Sequence, residues 1–531
     1  MISIDQNCHS LWDVLPKLHA LTRRGLPVRH CVEDIDVAFT AVGASADGPL
    51  ALARERFHRS GGADWGAAMF YHEFLGRQPV EIRRWEPALG MKISAVAHQL
   101  RRPLDELYDR YSPSDNWQLI GPSYVADREH HRVIGDLTVA ETRPFVKALL
   151  ARARANCLRA LPQRDSQQRL GEWFNAEEAR VARLLKRCAD GRLVDLYNAW
   201  MGEHLGAGAE LDLTSSLLAI GADADRTAVM DAFVQDYETA AGLYNQAVAE
   251  TDVGLHPLDT ARGELPFFAT LWYHDHLVRA GAYLDGQAVR VGERRFPLSG
   301  GRLPLEALRA GGVVCLAGKA LLLVIQVRCG ARGEELALPH NGSLYMPAAH
   351  ALARKLAAAR LLPQPLRPIV RVRFGLLDRL RGLDTVIRLP DYLAGAMGQE
   401  QVPAAQLGGC WRELARDAAA RLEAFKDDDA RRRWQREAFG ELADEDDELE
   451  TRRRELARND PKSERIRQLG RRQKDIRTRL LEGLLERVAA DWHLSQVDYW
   501  DSRGAMLPWC IGLGGRSLYD ELVANAELIP E

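Results

Sequence analysis

Six consecutive residues, Asp127-Arg128-Glu129-His130-His131-Arg132, set carboxylates, imidazoles and guanidiniums side by side. Carboxylates and imidazoles supply general bases or metal ligands, and guanidiniums hold carboxylate or phosphate groups. On an extended segment, alternation sends Asp127, Glu129 and His131 to one face and Arg128, His130 and Arg132 to the other. Asp136, Thr138, Glu141 and Arg143 continue the polar group. Glu129, His130 and His131 are therefore the catalytic candidates, with Glu129 or His131 as general base. Arg132 and Arg143 are candidates for holding an anion. The competing reading is a solvated charged loop.

A second constellation, Tyr273-His274-Asp275-His276, has H-x-H spacing, which on a strand puts both imidazoles on one face. No third ligand accompanies the pair, so a loop or a partly buried strand is preferred to a metal. The run His340-Asn341-Gly342-Ser343-Leu344-Tyr345 precedes a helical pattern. Asn341 or Ser343 can cap that helix and leave backbone amides for an anion, with a plain capped helix as the alternative. Lys319 stands alone in an apolar run, as a snorkelling end residue or an anion contact. Lys319, Asn341, Ser343 and Tyr345 complete the candidate substrate-binding set. Gly512, Gly514 and Gly515 read as a Gly-rich turn without dinucleotide-loop spacing. No motif fixes a reaction, a metal or a cofactor.

These residues need elements to position them. LWDVLPKLHALTRR reads as an amphipathic helix and VRHCVEDIDVAFTAV as a strand. MKISAVAHQLRRPLDELYDRY is helical with Pro103 at a boundary. A helix starts near Glu141 to Pro144 and runs to about 160, 165–205 is helical, and 230–250 is one long helix. From 264 to 400 strands and hairpins with glycine turns dominate, followed by a helix at 343–361 and a short β run at 366–374. The chain divides as 1–225, 226–400 and 401–531, and the body is α/β.

The chain has 531 residues, 46% hydrophobic and 27% charged, with a formal net charge of −3. Those values suit a globular protein with several cores and disfavour one built mainly to bind nucleic acid or anionic membrane. The eight cysteines (8, 31, 157, 188, 315, 329, 410 and 510) form no C-x-x-C pair. With no signal-peptide pattern and no apolar run of membrane length, the expectation is a cytoplasmic protein with reduced thiols and no membrane partner.

Residues 411–490 carry segregated charge. Seven of the ten residues in 441–450 are acidic, and 461–480 is mostly basic. Apolar residues recur at heptad-like spacing on both sides of Asn459-Asp460-Pro461, where proline imposes a turn. Folding back there sets Asp446 near Asp475 and Leu442 near Leu480. This predicts an appended antiparallel coiled-coil hairpin whose arms neutralise each other, which favours a homodimer and disfavours nucleic acid.

From about residue 230 the layout resembles the cysteine ligase of bacillithiol synthesis (the BshC family). The likeness lies in Leu243-Tyr244-Asn245, Glu264-Leu265-Pro266-Phe267-Phe268, Arg294-Arg295-Phe296, Lys319-Ala320-Leu321-Leu322, Asn341-Gly342-Ser343-Leu344-Tyr345 and residues 366–380 before a long charged hairpin. The family's Gly-Pro-Gly-Glu-like turn stands here as His340-Asn341-Gly342-Ser343. The resemblance implies a dimer with a Rossmann-like body and a coiled-coil appendage. It leads to the expectation of a ligase or group-transfer enzyme acting on a small anionic metabolite, an amino-acid or sugar-acid compound. The alternative is a non-enzymatic adaptor that uses the hairpin as a docking arm.

Overall fold

In the computed structural model the described residues are all of 1–531 except 5–7, 10, 40–48, 58–62, 65, 78–79, 123, 252, 331–333, 343–344, 363–364 and 500–506. The fold is mixed α/β and largely helical. Its central sheet takes strands in the spatial order Glu210–Leu213, Arg29–Val32, Ile2–Ile4, Leu336–Pro339, Ile369–Arg373, Glu527–Pro530. The first five run parallel, with Ile2 opposite both Arg29 and Leu336, and the last is antiparallel, with Val372 opposite Leu528. In chain order the parallel strands therefore lie third, second, first, fourth, fifth. The sheet draws on all three segments into which the sequence divides.

Alternation along these strands explains why both faces are covered. Ile2, Ile4, Cys31, Leu336, Leu338 and Ile369 enter one apolar core with the helices Ala320–Arg328 and Met346–Ala358. Val32, Ala337 and Val372 enter another with the helices Leu11–Thr22, Leu193–Leu205 and Leu507–Ala524. That second core encloses Glu177, which is fully buried. Its carboxylate accepts from Trp12 Nε1 at 3.2 Å and Trp200 Nε1 at 2.6 Å, and His204 and Arg180 are also bound to it.

An antiparallel sheet packs beside the first core. Its order is Arg294–Pro297, Ala288–Val291, His276–Asp285, Glu264–Tyr273, Val313–Gly318, and the two-residue strand His131–Arg132 pairs with His276–Asp285.

Several local expectations change. The helix expected over 230–250 is broken at Asp236 into Ala224–Gln235 and Tyr237–Thr251. The apolar run around Lys319 is a strand followed at once by a helix. The three late glycines lie inside the helix Leu507–Ala524, which kinks at Gly515 with φ 80°. The helix after the polar cluster begins at Val139, because Thr138 and Glu141 cap it reciprocally. Seven cysteines, from Cys31 to Cys510, are free thiols. Among the described residues no helix is long and apolar enough to cross a membrane.

Residues 411–490 span three helices, Ala404–Ala424, Asp428–Asn459 and Glu464–Ser495. The last two fold back on each other between Asn459 and Glu464. Glu445 pairs with Arg472 at 2.7 Å, and Asp446 with Arg477 at 2.9 Å. Leu449, Ile476 and Leu480 are buried between them, with Phe439, Leu442 and Leu469 alongside. Gly440, at φ 14° and ψ −91°, kinks the first of these helices, and Arg436 bonds Asp447 across the bend at 2.7 Å.

Candidate functional site

Arg279, Gly281 and Tyr283 alternate along the strand His276–Asp285 with the core residues Val278, Ala280 and Ala282. Period two therefore drives one set into the core and turns the other outward. Opposite this outward face runs the segment 124–132, held by the pairing of His131 with Arg279. Between them lies a cleft of about 640 Å³. Its charged lining is Arg128, Arg262, Arg279 and Lys319 with Asp36 and Glu129, and His131 is also exposed to it.

The alternation expected over 127–132 does not occur. Asp127 accepts the amide N–H groups of Glu129 at 2.7 Å and His130 at 3.0 Å, which bends the chain. Arg128, Glu129 and His131 consequently all line the cleft, and His130 turns away from it. His130 is 3% exposed, stacks on Tyr273 with ring centroids 3.8 Å apart, and holds Asp127 through Nδ1 at 2.9 Å. It anchors the loop and does not face the space a ligand would fill.

Charge in the cleft is partly pre-paired. Arg279 donates to Asp36 at 2.8 Å and lies 4.4 Å from the centre of the Phe268 ring. Burial pushes the Asp36 carboxyl up, and Arg279 opposes that shift. Lys319 bonds Glu264 at 2.5 Å. Burial favours the neutral Glu264 acid, but the Asp259 amide and the Lys319 ammonium hold it below the usual carboxylate range. Arg262 and Arg290 lie 5.2 and 4.4 Å from the Tyr283 ring centre. Among the described residues the Glu129 carboxylate has only a long contact to Arg290, at 3.8 Å. Arg128 has no carboxylate partner among the described residues. Burial, and then the Arg279 charge, lowers His131 to about 4, so its imidazole is neutral at neutral pH. Its Nδ1 is buried without a hydrogen-bond partner among the described residues.

Lys319 reaches the cleft because the strand Val313–Gly318 runs into the helix Ala320–Arg328 with one residue between them. Gly318 permits this. A Cβ there would stand 2.4 Å from the Leu323 nitrogen and 2.5 Å from the Leu322 carbonyl carbon. The buried Gln326 locks the turn, accepting the Gly318 N–H at 2.9 Å and donating to Leu316 O at 2.9 Å. Gly318→Ala is expected to destabilise the protein by about 2–3 kcal/mol, because the clash is with backbone. Urea denaturation measures it, and an unchanged midpoint would count against the tight turn.

The other candidates lie elsewhere. Arg132 sits beneath the cleft wall, bound to Asp136 at 2.5 Å and to Glu141 at 2.7 and 2.9 Å. Arg143 donates to Leu185 O at 2.9 Å. Arg132 is therefore occupied by the protein itself, while Arg143 lies outside the cleft lining with its Nε buried and without a hydrogen-bond partner among the described residues. Asn341 follows the fourth parallel strand and reaches Asp498 at 3.4 Å. Arg371 fixes the same turn through Pro339 O and Gly342 O at 3.0 and 2.9 Å. Tyr345, and not Asn341, occupies the N-cap position of the helix Met346–Ala358, without a side-chain cap bond, and is partly buried against the first core. Ser343 lies outside the described residues. His274 and Asp275 form a two-residue hairpin turn with φ 46° and 63°, so the two histidines do not share a strand face. His276 instead binds Asp136 at 2.8 Å.

Comparison with protein-family models, with curated proteins and with solved structures finds no match to this chain.

Proposed function

We propose that this chain is a ligase or group-transfer enzyme that binds a small anionic metabolite in the cleft between residues 124–132 and the strand His276–Asp285. The carrying observation is the convergence of Arg128, Arg262, Arg279 and Lys319 on one space that also exposes Glu129. In such a site Arg128 and Arg262 are the cations with capacity left for a carboxylate or phosphate. Arg279 and Lys319 add field while held by Asp36 and Glu264. Glu129 is the general base, since its carboxylate lines the cleft and its contact to Arg290 is long, at 3.8 Å. His131 then acts as a polar wall.

The parallel order third, second, first, fourth, fifth supports a Rossmann-like reading of the body. In such sheets ligands sit beyond the carboxyl ends of the strands, where the order reverses. The turn at His340 to Gly342 follows the fourth strand, beside the first, and suits a second anion. Paired charges across 445–477 support an antiparallel coiled coil. Together with the loose segment order after residue 230, these features favour a distant kinship to the BshC-type ligases, as a cytoplasmic homodimer.

The test uses pyrophosphate and citrate as probes, measured by calorimetry. Binding is expected to weaken about 100-fold in Arg128→Ala/Arg262→Ala, from the loss of charge-assisted hydrogen bonds. Glu129→Gln should keep binding and lose turnover of the metabolite identified by mass spectrometry of the purified protein. Equal affinity in the double variant would remove the cleft from consideration.

A further inference from the structure

We propose that the tip of the helical arm docks the phosphodiester backbone of a double-stranded nucleic acid, without reading sequence. Mutual neutralisation of the two arm helices holds only for their proximal part. The acidic decade 441–450 faces the second helix around Arg472 and Arg477, and its carboxylates also pair with Arg452 and Arg454. Beyond it, residues 451–474 hold ten Lys and Arg against three Asp and Glu. Arg458, Lys462, Arg465, Arg467, Arg471 and Lys474 are all exposed and have no carboxylate partner among the described residues.

Their arrangement suits a polyanion. Arg467, Arg471 and Lys474 recur at four- and three-residue spacing, which stacks them on one face of the helix Glu464–Ser495. Four of the six unpartnered cations are arginine, whose fork binds phosphate oxygens two at a time. Residues 441–459 carry this patch about 27 Å beyond the kink at Gly440. The chain as a whole is at −3, so the remainder is acidic and repels a polyanion, leaving the tip to make the approach.

The same stretch indicates which polyanion. It contains no aromatic side chain on which single-stranded bases could stack. Its apolar residues Leu456, Ile466 and Leu469 are half-buried, so nothing is offered to a bilayer interior. A duplex, with one negative charge per about 1.7 Å of axis, fits a rod of fixed cations best.

The experiment is fluorescence anisotropy of the full chain with labelled DNA and RNA duplexes of about 20 base pairs, over a salt series. Six phosphate contacts predict a slope of log K against log salt near −5, about a thousandfold loss between 50 and 200 mM. Arg467→Gln/Arg471→Gln/Lys474→Gln should reduce that slope by about three while helical content stays unchanged. A matched variant of exposed body arginines, Arg83, Arg84 and Arg354 to Gln, should keep the wild-type slope. Three results would overturn the proposal: no duplex binding at low salt, an unchanged slope in the tip variant, or tighter binding to phosphatidylserine vesicles than to duplex.

Discussion

Asp136→Ala is expected to lower stability by about 3–5 kcal/mol and to abolish anion binding in the cleft together with it. Asp136 is 3% exposed, yet its carboxylate accepts four donors from three parts of the chain. They are Arg132 Nε at 2.5 Å, Arg192 Nη1 at 3.1 Å, His276 Nδ1 at 2.8 Å and the Leu277 N–H at 2.9 Å. Burial alone would favour the neutral acid, but the Leu277 amide, Arg132 and His276 hold the carboxyl below its usual range. Alanine leaves the Leu277 donor buried without an acceptor and strips Arg132 of one of its two carboxylates. The consequence for the cleft is geometric. The strand His131–Arg132 is two residues long and cannot hold Glu129 and His131 opposite Arg279 by backbone pairing alone. Urea denaturation and pyrophosphate calorimetry on the same sample give the two readouts. Arg128→Ala should move only the second. A variant at Asp136 that keeps full affinity would show that the short strand positions itself.

Some of this was visible in residue order, and the reason is locality. The break at Pro103 and the turn after Asn459 each depend on neighbours within a few positions. The opposition of Asp446 to the second arm helix followed from counting back from that turn. Glu129 and His131 were reached through the density of the polar run 127–132, and Lys319 as a polar exception in an apolar run. Arg279 and Tyr283 had a usable signal, the alternation of Val278, Ala280 and Ala282 with Arg279, Gly281 and Tyr283, but it was read only as a generic hairpin. Arg262 and Asp36 had no local signal, because only tertiary pairing brings a turn and a loop 226 positions apart to one cleft. For His274 the preferred loop reading fits the hairpin turn, since H-x-H implies a shared face only if the backbone is extended, and here two residues have positive φ. The parallel sheet was hard to read because its strands are three to five residues long, too short for a period to show.

Acidification from pH 7 to pH 5 should destabilise the protein by about 4 kcal/mol through its buried histidines. His30 is fully buried with Ser3 Oγ 3.0 Å from its Nδ1, and burial, with Lys17 nearby, lowers it to about 3. His493 is 7% exposed, and burial followed by the Arg77 charge lowers it to about 4. Burial is also the main cause that lowers His19 and His131 to about 4. In the unfolded chain each imidazole takes its proton near 6.5. Below that value the unfolded state binds more protons than the native state, so stability falls with pH until the folded values are reached. Each fully buried histidine contributes about 1.4 kcal/mol per pH unit in this window, and the partly exposed pair adds less. Asp34 and Asp36, raised by burial, run the other way, because the native state takes up their protons more readily than the unfolded chain. Asp136 and Glu177, whose carboxyls are held low, keep their stabilising effect down to about pH 4 and lose it only below. Denaturation midpoints measured between pH 7 and pH 5 in the wild type and in a histidine variant separate the histidine contribution from that of the raised carboxyls. His30→Gln should flatten the slope by about one proton's worth. A midpoint that stays level across this range would mean that the native state takes up its histidine protons as readily as the unfolded chain.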